Sequence, residues 1–162
     1  MPIAVGDRLP DAVFKIKTAR GIEDLPVRDL CAGRRVVLFA VPGAFTPTCQ
    51  ERHLPAFLER LDELRAKGVD EVACVAVNDP FVLDAWAKAT GAEGRIRMLS
   101  DGNGTFVRAL GLEFDGSALG LGVRSRRWVM LVEDGVVKAL AVEENPGEVT
   151  VSGPETVLRA LG

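Results

Sequence analysis

The chain has 162 residues, 48% of them hydrophobic, and a formal net charge of −3. This length and composition predict one globular domain over residues 1–162 with a sizeable core. Lys and Arg are scattered, and the one tight basic group, at 124–127, is too small to indicate nucleic-acid binding. No apolar run approaches the roughly 18 residues of a membrane-spanning helix, so no membrane association is expected. The first residues also lack the basic and apolar regions of a secretion signal.

The three cysteines are Cys31, Cys49 and Cys74. An odd number at wide spacing does not suit a disulfide framework and favours a reducing compartment, so we expect a cytoplasmic location. A single histidine and the lack of a Cys-x-x-Cys pair leave too few ligands for zinc, and no metal is expected.

The first elements that the sequence predicts are two buried strands, each followed by a helix. The apolar run at 36–41 predicts a buried strand, and the next stretch, 47–68, predicts a helix with one apolar face. A second apolar run at 72–77 predicts another buried strand. Asp79 and the proline after it then predict the start of a helix over 80–90.

Shorter elements fill the second half. The predicted elements are a strand at 96–99, a helix at 103–110, two strands at 128–132 and 136–142 around an Asp-Gly turn, and a closing helix at 154–161. Strands joined through helices pair largely in parallel, and the hairpin adds antiparallel pairing. We therefore expect an α/β fold of the thioredoxin-like type, with a mixed central sheet and helices on both faces. Spacing alone also permits other three-layer α/β folds.

A candidate site follows the first buried strand, in residues 42–49. Ligands of parallel α/β sheets bind beyond the carboxyl ends of the strands, where this segment lies. Cys49 falls in the first turn of the next helix, whose free N–H groups and dipole favour a thiolate. Thr46 can place a hydroxyl at the mouth, and Pro42 can form an apolar wall. The alternative is an inert, buried cysteine at the start of a helix.

The segment 42–49 (PGAFTPTC), followed by His53-Leu54-Pro55, resembles the active-site signature of peroxiredoxins. Its form is similar to that of the fifth subfamily, which includes the plant type II enzymes. The resemblance extends from about residue 6 to residue 161 and includes blocks at 72–82, 124–128 and 134–138.

This resemblance implies reduction of hydrogen peroxide and alkyl hydroperoxides without a bound cofactor. By position, Cys49 would be the peroxidatic nucleophile that becomes a sulfenic acid, and Thr46 would hydrogen-bond thiolate and peroxide. Arg127, at the start of a predicted strand, would supply a cation that holds the thiolate and polarises the O–O bond. The substrate pocket would include Pro42, Gly43 and Phe45. Such enzymes are often homodimers that pack near the active site.

Other residues near these motifs have weaker claims. His53 stands four residues after Cys49, so a Cys–His pair is geometrically possible, but a structural histidine is favoured. Arg124 is a reserve for Arg127, and Cys31 is assigned to a turn without a role.

The resemblance also bears on how the enzyme is reset. Cys74 sits in a predicted buried strand, where a small apolar residue is expected, but it matches a second cysteine of plant type II relatives with a suggested resolving role. Val151 stands where some members have a resolving cysteine. We therefore expect an external thiol to reset Cys49, with glutathione and glutaredoxin favoured over thioredoxin.

Two other functions remain open from the sequence. Thr46-x-x-Cys49 looks like a redox Cys-x-x-Cys whose first cysteine is replaced, which would suit a monothiol oxidoreductase. A catalytically silent binding or holdase module with an exposed apolar dimer surface is the third reading.

Overall fold

A computed structural model gives the bounds of the elements for residues 2–162, the part of the chain described below. The strands are β1 (Val13–Thr18), β2 (Gly21–Pro26), β3 (Arg35–Ala40), β4 (Glu71–Ala76), β5 (Arg97–Ser100), β6 (Glu113–Asp115), β7 (Val123–Ser125), β8 (Trp128–Glu133) and β9 (Val136–Val142). The α-helices are α1 (Val27–Cys31), α2 (Leu54–Glu59), α3 (Leu61–Ala66), α4 (Pro80–Thr90), α5 (Thr105–Leu110) and α6 (Pro154–Leu161). A π-helical turn covers Cys49–His53 and a 3₁₀ turn covers Ser117–Leu119.

One seven-stranded sheet organises these elements, in the order β2-β1-β5-β4-β3-β8-β9. β3, β4 and β5 are parallel neighbours, whereas β8 pairs antiparallel with β3 and β9 antiparallel with β8. The β8–β9 turn is the predicted Asp-Gly pair, and both Asp134 and Gly135 have positive φ, as such tight hairpins require. The predicted mixed sheet and thioredoxin-like α/β fold are confirmed.

Two hydrophobic cores lie on opposite faces of the sheet, because successive strand residues point to opposite sides. From β3, Val37 and Phe39 enter one core with Cys49 and the α2, α3 and α4 side chains. Val36 and Leu38 enter the other with α1 and α5. Among residues 2–162, none of the helices is long and apolar enough to cross a bilayer.

The structure corrects the sequence prediction in several places. The β1–β2 hairpin was not predicted because its residues are mostly exposed or half-buried and carry little apolar patterning. Cys31 lies at the end of α1 and is buried, rather than in a turn. The predicted helix over 47–68 is divided, with a π-helical turn near its start and a break at Arg60. The glycine-rich stretch after residue 115 joins β6 and β7, which form a separate small sheet.

Candidate active site

The turn after β3 has an unusual backbone conformation and is held by a hydrogen bond to a neighbouring segment. Phe45 adopts a left-handed conformation (φ 65°) that few non-glycine residues take up, and its side chain is 50% exposed. The Ala44 N–H donates to Asn78 Oδ1 at 2.9 Å, which ties the turn to the segment that follows β4. Such strained turns occur at functional sites that the surrounding structure holds in place.

Arg124 approaches the same turn from the other side. Its Nη1 donates to the carbonyl of Pro42 at 3.2 Å and its Nε donates to Leu121 O at 2.9 Å. A Cβ on Gly43 would stand 2.7 Å from Arg124 Nη1, so glycine is needed for this approach. Arg124 thus supports the turn, and its two described partners are carbonyls rather than the sulfur of Cys49.

Cys49 occupies the first turn of the helix, as predicted. Residues 47 and 48 are helical, and the Gln50 N–H donates to Thr46 O at 3.0 Å, closing the first turn. The Cys49 side chain has no exposed surface. The free N–H groups and the positive end of the helix dipole are therefore close to this buried sulfur.

The helix then winds as a π-helix over Cys49–His53, and the Leu54 N–H donates to Cys49 O. Pro55 supplies the physical reason, because it has no N–H to donate to Glu51 O and its ring clashes with the carbonyl four residues before it. The backbone adopts the wider i→i+5 spacing just before the proline. Such turns are frequent at functional sites.

Arg127 is the cation of the site, and its side chain is only 1% exposed. Nη2 donates to Cys49 Sγ at 3.1 Å, Nη1 to His53 Nδ1 at 2.9 Å, and Nε to Pro146 O at 2.9 Å. The predicted contact with Cys49 is present. Arg127 lies in the link between β7 and β8, directly before the first residue of β8.

None of these three partners is a carboxylate. A buried guanidinium needs compensating negative charge, since an uncompensated charge is costly in the interior. The Cys49 sulfur is the partner that can supply it, by losing its proton. The geometry therefore stabilises the thiolate and holds a hydrogen-bond donor beside it.

His53 holds Arg127 rather than Cys49. Its Nε2 lies 2.8 Å from the Ser152 carbonyl, which can only accept, so Nε2 carries the proton and Nδ1 is left to accept from Arg127. Burial, and then the charge of Arg127, lower the pKa of His53 to about 3. The imidazole is neutral and its lone pair is already in use, so it is not placed to deprotonate Cys49.

Thr46 uses its hydroxyl proton within the turn, donating to Gly43 O at 2.6 Å. The resemblance implied a hydrogen bond from Thr46 to the thiolate, but in this conformation the proton is directed at Gly43. The oxygen lone pairs remain to accept a hydrogen bond from a peroxide O–H.

The other two cysteines lack such a setting. Cys74 lies in β4 opposite Phe39, in the same core as Cys49, and burial, followed by the charge of Cys49, raises its pKa well above the usual value. Cys31 lies in the other core, and burial raises its pKa to about 11. Both are thiols near neutral pH. Among residues 2–162, no group of three or more His, Cys, Asp or Glu side chains is placed to hold a metal ion.

The segment 143–152 also belongs to the site, although the sequence analysis named only Val151 in it, as the position of a resolving cysteine in some relatives. It provides Pro146 O to Arg127 and Ser152 O to His53. Gly147 O accepts from the hydroxyl of Thr48 at 3.0 Å, beside Cys49. These contacts use backbone carbonyls, which every residue possesses, so no residue type identifies them in advance.

The chain is similar to known proteins along almost its whole length. The profile of the Redoxin family matches residues 4–158. The chain is 54% identical to peroxiredoxin-2E-2, chloroplastic, of Oryza sativa, over 98% of this chain and 72% of that protein. It is 47% identical to peroxiredoxin-2C of the same species, over 99% of both chains. A crystal structure of reduced Prx3 in complex with hydrogen peroxide from Vibrio vulnificus superposes with a TM-score of 0.92 at 50% identity, covering 98% of this chain and 96% of that one.

The neutral state of His53 gives a testable expectation, because it is the only histidine in the chain. An exposed histidine titrates near pH ~6.5, whereas His53 protonates only near pH 3. The single imidazole C2–H resonance should therefore keep its chemical shift between about pH 5.5 and 8 in the native protein. Urea-unfolded protein is the control and should titrate normally. A native titration near pH ~6.5 would contradict the assigned tautomer.

The lowered pKa of His53 also sets the direction in which the stability of the folded protein changes with pH. The unfolded chain binds a proton at this histidine below pH ~6.5 and the native chain does not, so this contribution to stability falls as pH decreases from about 6.5 to 3.

Proposed function

Because the chain belongs to the redoxin family and is a peroxiredoxin, a thiol-dependent peroxide reductase, we propose that it reduces hydrogen peroxide and alkyl hydroperoxides through a sulfenic acid on Cys49. An external thiol then reduces that acid. The observation that carries this proposal is the 3.1 Å contact between Nη2 of the buried Arg127 and Sγ of Cys49, which lies at the start of a helix.

The chemistry follows from these contacts. The thiolate attacks one peroxide oxygen, so an S–O bond forms while the O–O bond breaks, and Cys49 becomes a sulfenic acid. The leaving oxygen departs as hydroxide or alkoxide and takes up a proton to give water or an alcohol. Arg127 stabilises the charge developing on that oxygen, and the Thr46 oxygen accepts from the peroxide O–H to orient it.

The rate gain from ionising Cys49 is limited, so the site must also hold the peroxide in position. A free cysteine is only a few per cent ionised at pH 7, so complete ionisation accelerates attack by roughly 30-fold at most. A thiolate of lower pKa is also a weaker nucleophile. The remaining acceleration must come from a fixed geometry, and the planar guanidinium of Arg127 can hold sulfur and peroxide at once in a way that lysine cannot.

For the return to the reduced state, we favour glutathione and glutaredoxin over thioredoxin. Glutathione attacks the sulfenic sulfur and releases water, and glutaredoxin removes the glutathione by thiol–disulfide exchange. Cys74 is a buried thiol with a raised pKa, so it is a poor nucleophile toward the sulfenic acid. Val151 occupies the position where a resolving cysteine would otherwise stand.

We also assign the chain to the plant type II group within the fifth subfamily and propose that it is a homodimer. The segment PGAFTPTC and the plant relatives support the first assignment. Supporting the second, Phe45, Phe81 and Leu119 are 50%, 61% and 76% exposed. Phe45 lies in the active-site turn, and the segments that contain Phe81 and Leu119 are linked to that turn through Asn78 and Arg124. Joining two copies here would bury these side chains.

A cytoplasmic location is the proposal from the sequence. Three free thiols suit a reducing compartment, whereas the rice relative at 54% identity is described as chloroplastic.

Rapid mixing with hydrogen peroxide tests the function. Wild-type protein, Cys31→Ser and Cys74→Ser should each be oxidised once per chain, whereas Cys49→Ser should consume essentially no peroxide, because only Cys49 has a cation and a helix start beside it. A monothiol oxidoreductase or a binding module would show no rapid stoichiometric oxidation. Retention of substantial single-turnover activity by Cys49→Ser would refute the assignment of the nucleophile.

Mass spectrometry under non-reducing conditions tests the resetting step. After one equivalent of peroxide, the expected product is a sulfenic acid on Cys49, and added glutathione should convert it to a mixed disulfide that glutaredoxin clears. Cys74→Ser should behave identically. A Cys49–Cys74 disulfide formed at the turnover rate and reduced by thioredoxin would overturn the one-cysteine mechanism while leaving the peroxidase activity intact.

Sedimentation velocity tests the homodimer. Phe81→Glu places a charge in the proposed interface and should shift the protein toward monomer, because a buried unpaired charge is costly. Val5→Glu, at a position 60% exposed and outside the patch, is the matched control. A wild-type protein that sediments as a monomer at micromolar concentration would contradict the proposal.

A further inference from the structure

The Glu143 carboxylate is the most heavily hydrogen-bonded side chain in the neighbourhood of the site. It follows directly after β9 and is only 2% exposed. It accepts five hydrogen bonds of 2.7–2.8 Å from three consecutive residues, namely the N–H and hydroxyl of Thr150, the N–H of Val151, and the N–H and hydroxyl of Ser152.

These donors keep the carboxylate ionised. Burial alone would raise the pKa of Glu143, but the hydrogen bonds from Ser152, Thr150 and the Val151 backbone outweigh it and lower that pKa to about 2. Hydrogen bonds to an ionised acceptor are stronger than neutral ones. The carboxylate therefore closes the segment 143–152 into a firmly held loop.

Several contacts of this loop lead to the guanidinium of Arg127. Within it, Pro146 O accepts from Arg127 Nε and Ser152 O accepts from His53, which in turn accepts from Arg127 Nη1. The base of the loop is fixed to the same residue, since the Glu143 N–H donates to Arg127 O at 2.9 Å. Two of the three hydrogen-bond partners that orient the guanidinium thus depend on the position of this loop.

We propose that Glu143 is a positioning residue for peroxide reduction, which holds the loop 143–152 so that Arg127 is aimed at the Cys49 sulfur. Glu143 contacts neither the sulfur nor the peroxide, and it acts through Arg127. Losing its charge loosens the loop, lets the guanidinium turn away from Cys49, and removes part of the stabilisation of the thiolate and of the leaving oxygen.

Glu143→Gln is the direct test, because it keeps the shape and removes the charge. The fraction of Cys49 thiolate is followed by its ultraviolet absorbance against pH, and the oxidation rate by rapid mixing with peroxide. We expect the thiolate to form at higher pH and the rate constant to fall about tenfold, the change caused by losing roughly one charge-assisted hydrogen bond. Glu71→Gln is the matched control. Glu71 pairs with Arg34 and Arg97 at the start of β4, away from the site, so this substitution should leave both quantities unchanged.

A double-mutant cycle separates positioning from general stability. If Glu143 acts through Arg127, Glu143→Gln should have no further effect on thiolate formation or oxidation rate in the Arg127→Gln background. Additive effects in the two backgrounds would overturn the proposal. So would a folded Glu143→Gln protein with wild-type thiolate titration and oxidation rate.

A milder variant covers the case in which Glu143→Gln does not fold. Ser152→Ala removes only one hydroxyl donor to Glu143 and keeps the backbone carbonyl that His53 uses. It should shift the thiolate titration and the oxidation rate in the same directions by smaller amounts. Wild-type values for both would count against the positioning role of Glu143.

Discussion

Burying the guanidinium of Arg127 imposes a demand that the surrounding structure meets from several directions. An interior cation requires acceptors for its N–H groups and a compensating negative charge. The acceptors come from His53 on the helix and from Pro146 in the loop after β9, and the charge comes from the ionisable sulfur of Cys49. The energetic need of the cation and the chemical need of the nucleophile are satisfied by one contact.

The sheet makes this convergence possible. β3 delivers the turn that leads to Cys49, and β8, its antiparallel neighbour, begins one residue after Arg127. Ala40 at the end of β3 is in register with Trp128 at the start of β8, so the two segments meet at the same edge. Phe39 packs against the helix that carries the site, because its ring centroid lies 4.1 Å from that of Phe57 and 4.9 Å from that of His53. The core residues that stabilise the fold thus also define the floor of the site.

Sequence reasoning recovered the elements whose signal is strong and local. The buried strands β3 and β4 are continuous apolar runs, and α4 begins at an Asp-Pro pair whose aspartate caps it through Val82 N. Cys49 was identifiable because its position at a helix start has chemical meaning. Arg127 followed only from the resemblance, since a lone arginine is ordinarily an exposed residue. The sequence could not show that it is buried.

The features of the site that could not be predicted depend on contacts between residues that are far apart in the sequence. The tautomer of His53 depends on a carbonyl about a hundred positions away, and the loop after β9 contributes backbone atoms that carry no residue identity. Glu143 reads as one acidic residue among many until its five donors are seen. The β1–β2 hairpin escaped notice for the opposite reason, because an exposed edge requires little apolar patterning.

Pro55 takes part in none of the hydrogen bonds described for the site, yet its missing N–H changes how the helix that begins at Cys49 winds. The π-helical turn fits an extra residue into one turn and acts as a phase shift between two parts of the helix. After it, Leu54 and Phe57 in α2 keep the rotation that buries them in the core. At its first residue, the Cys49 side chain is directed at Arg127. A helix of uniform pitch would couple these two orientations, so that a substitution repacking the core would also turn the sulfur. The phase shift therefore separates the orientation of the nucleophile from the orientation of the apolar face of α2.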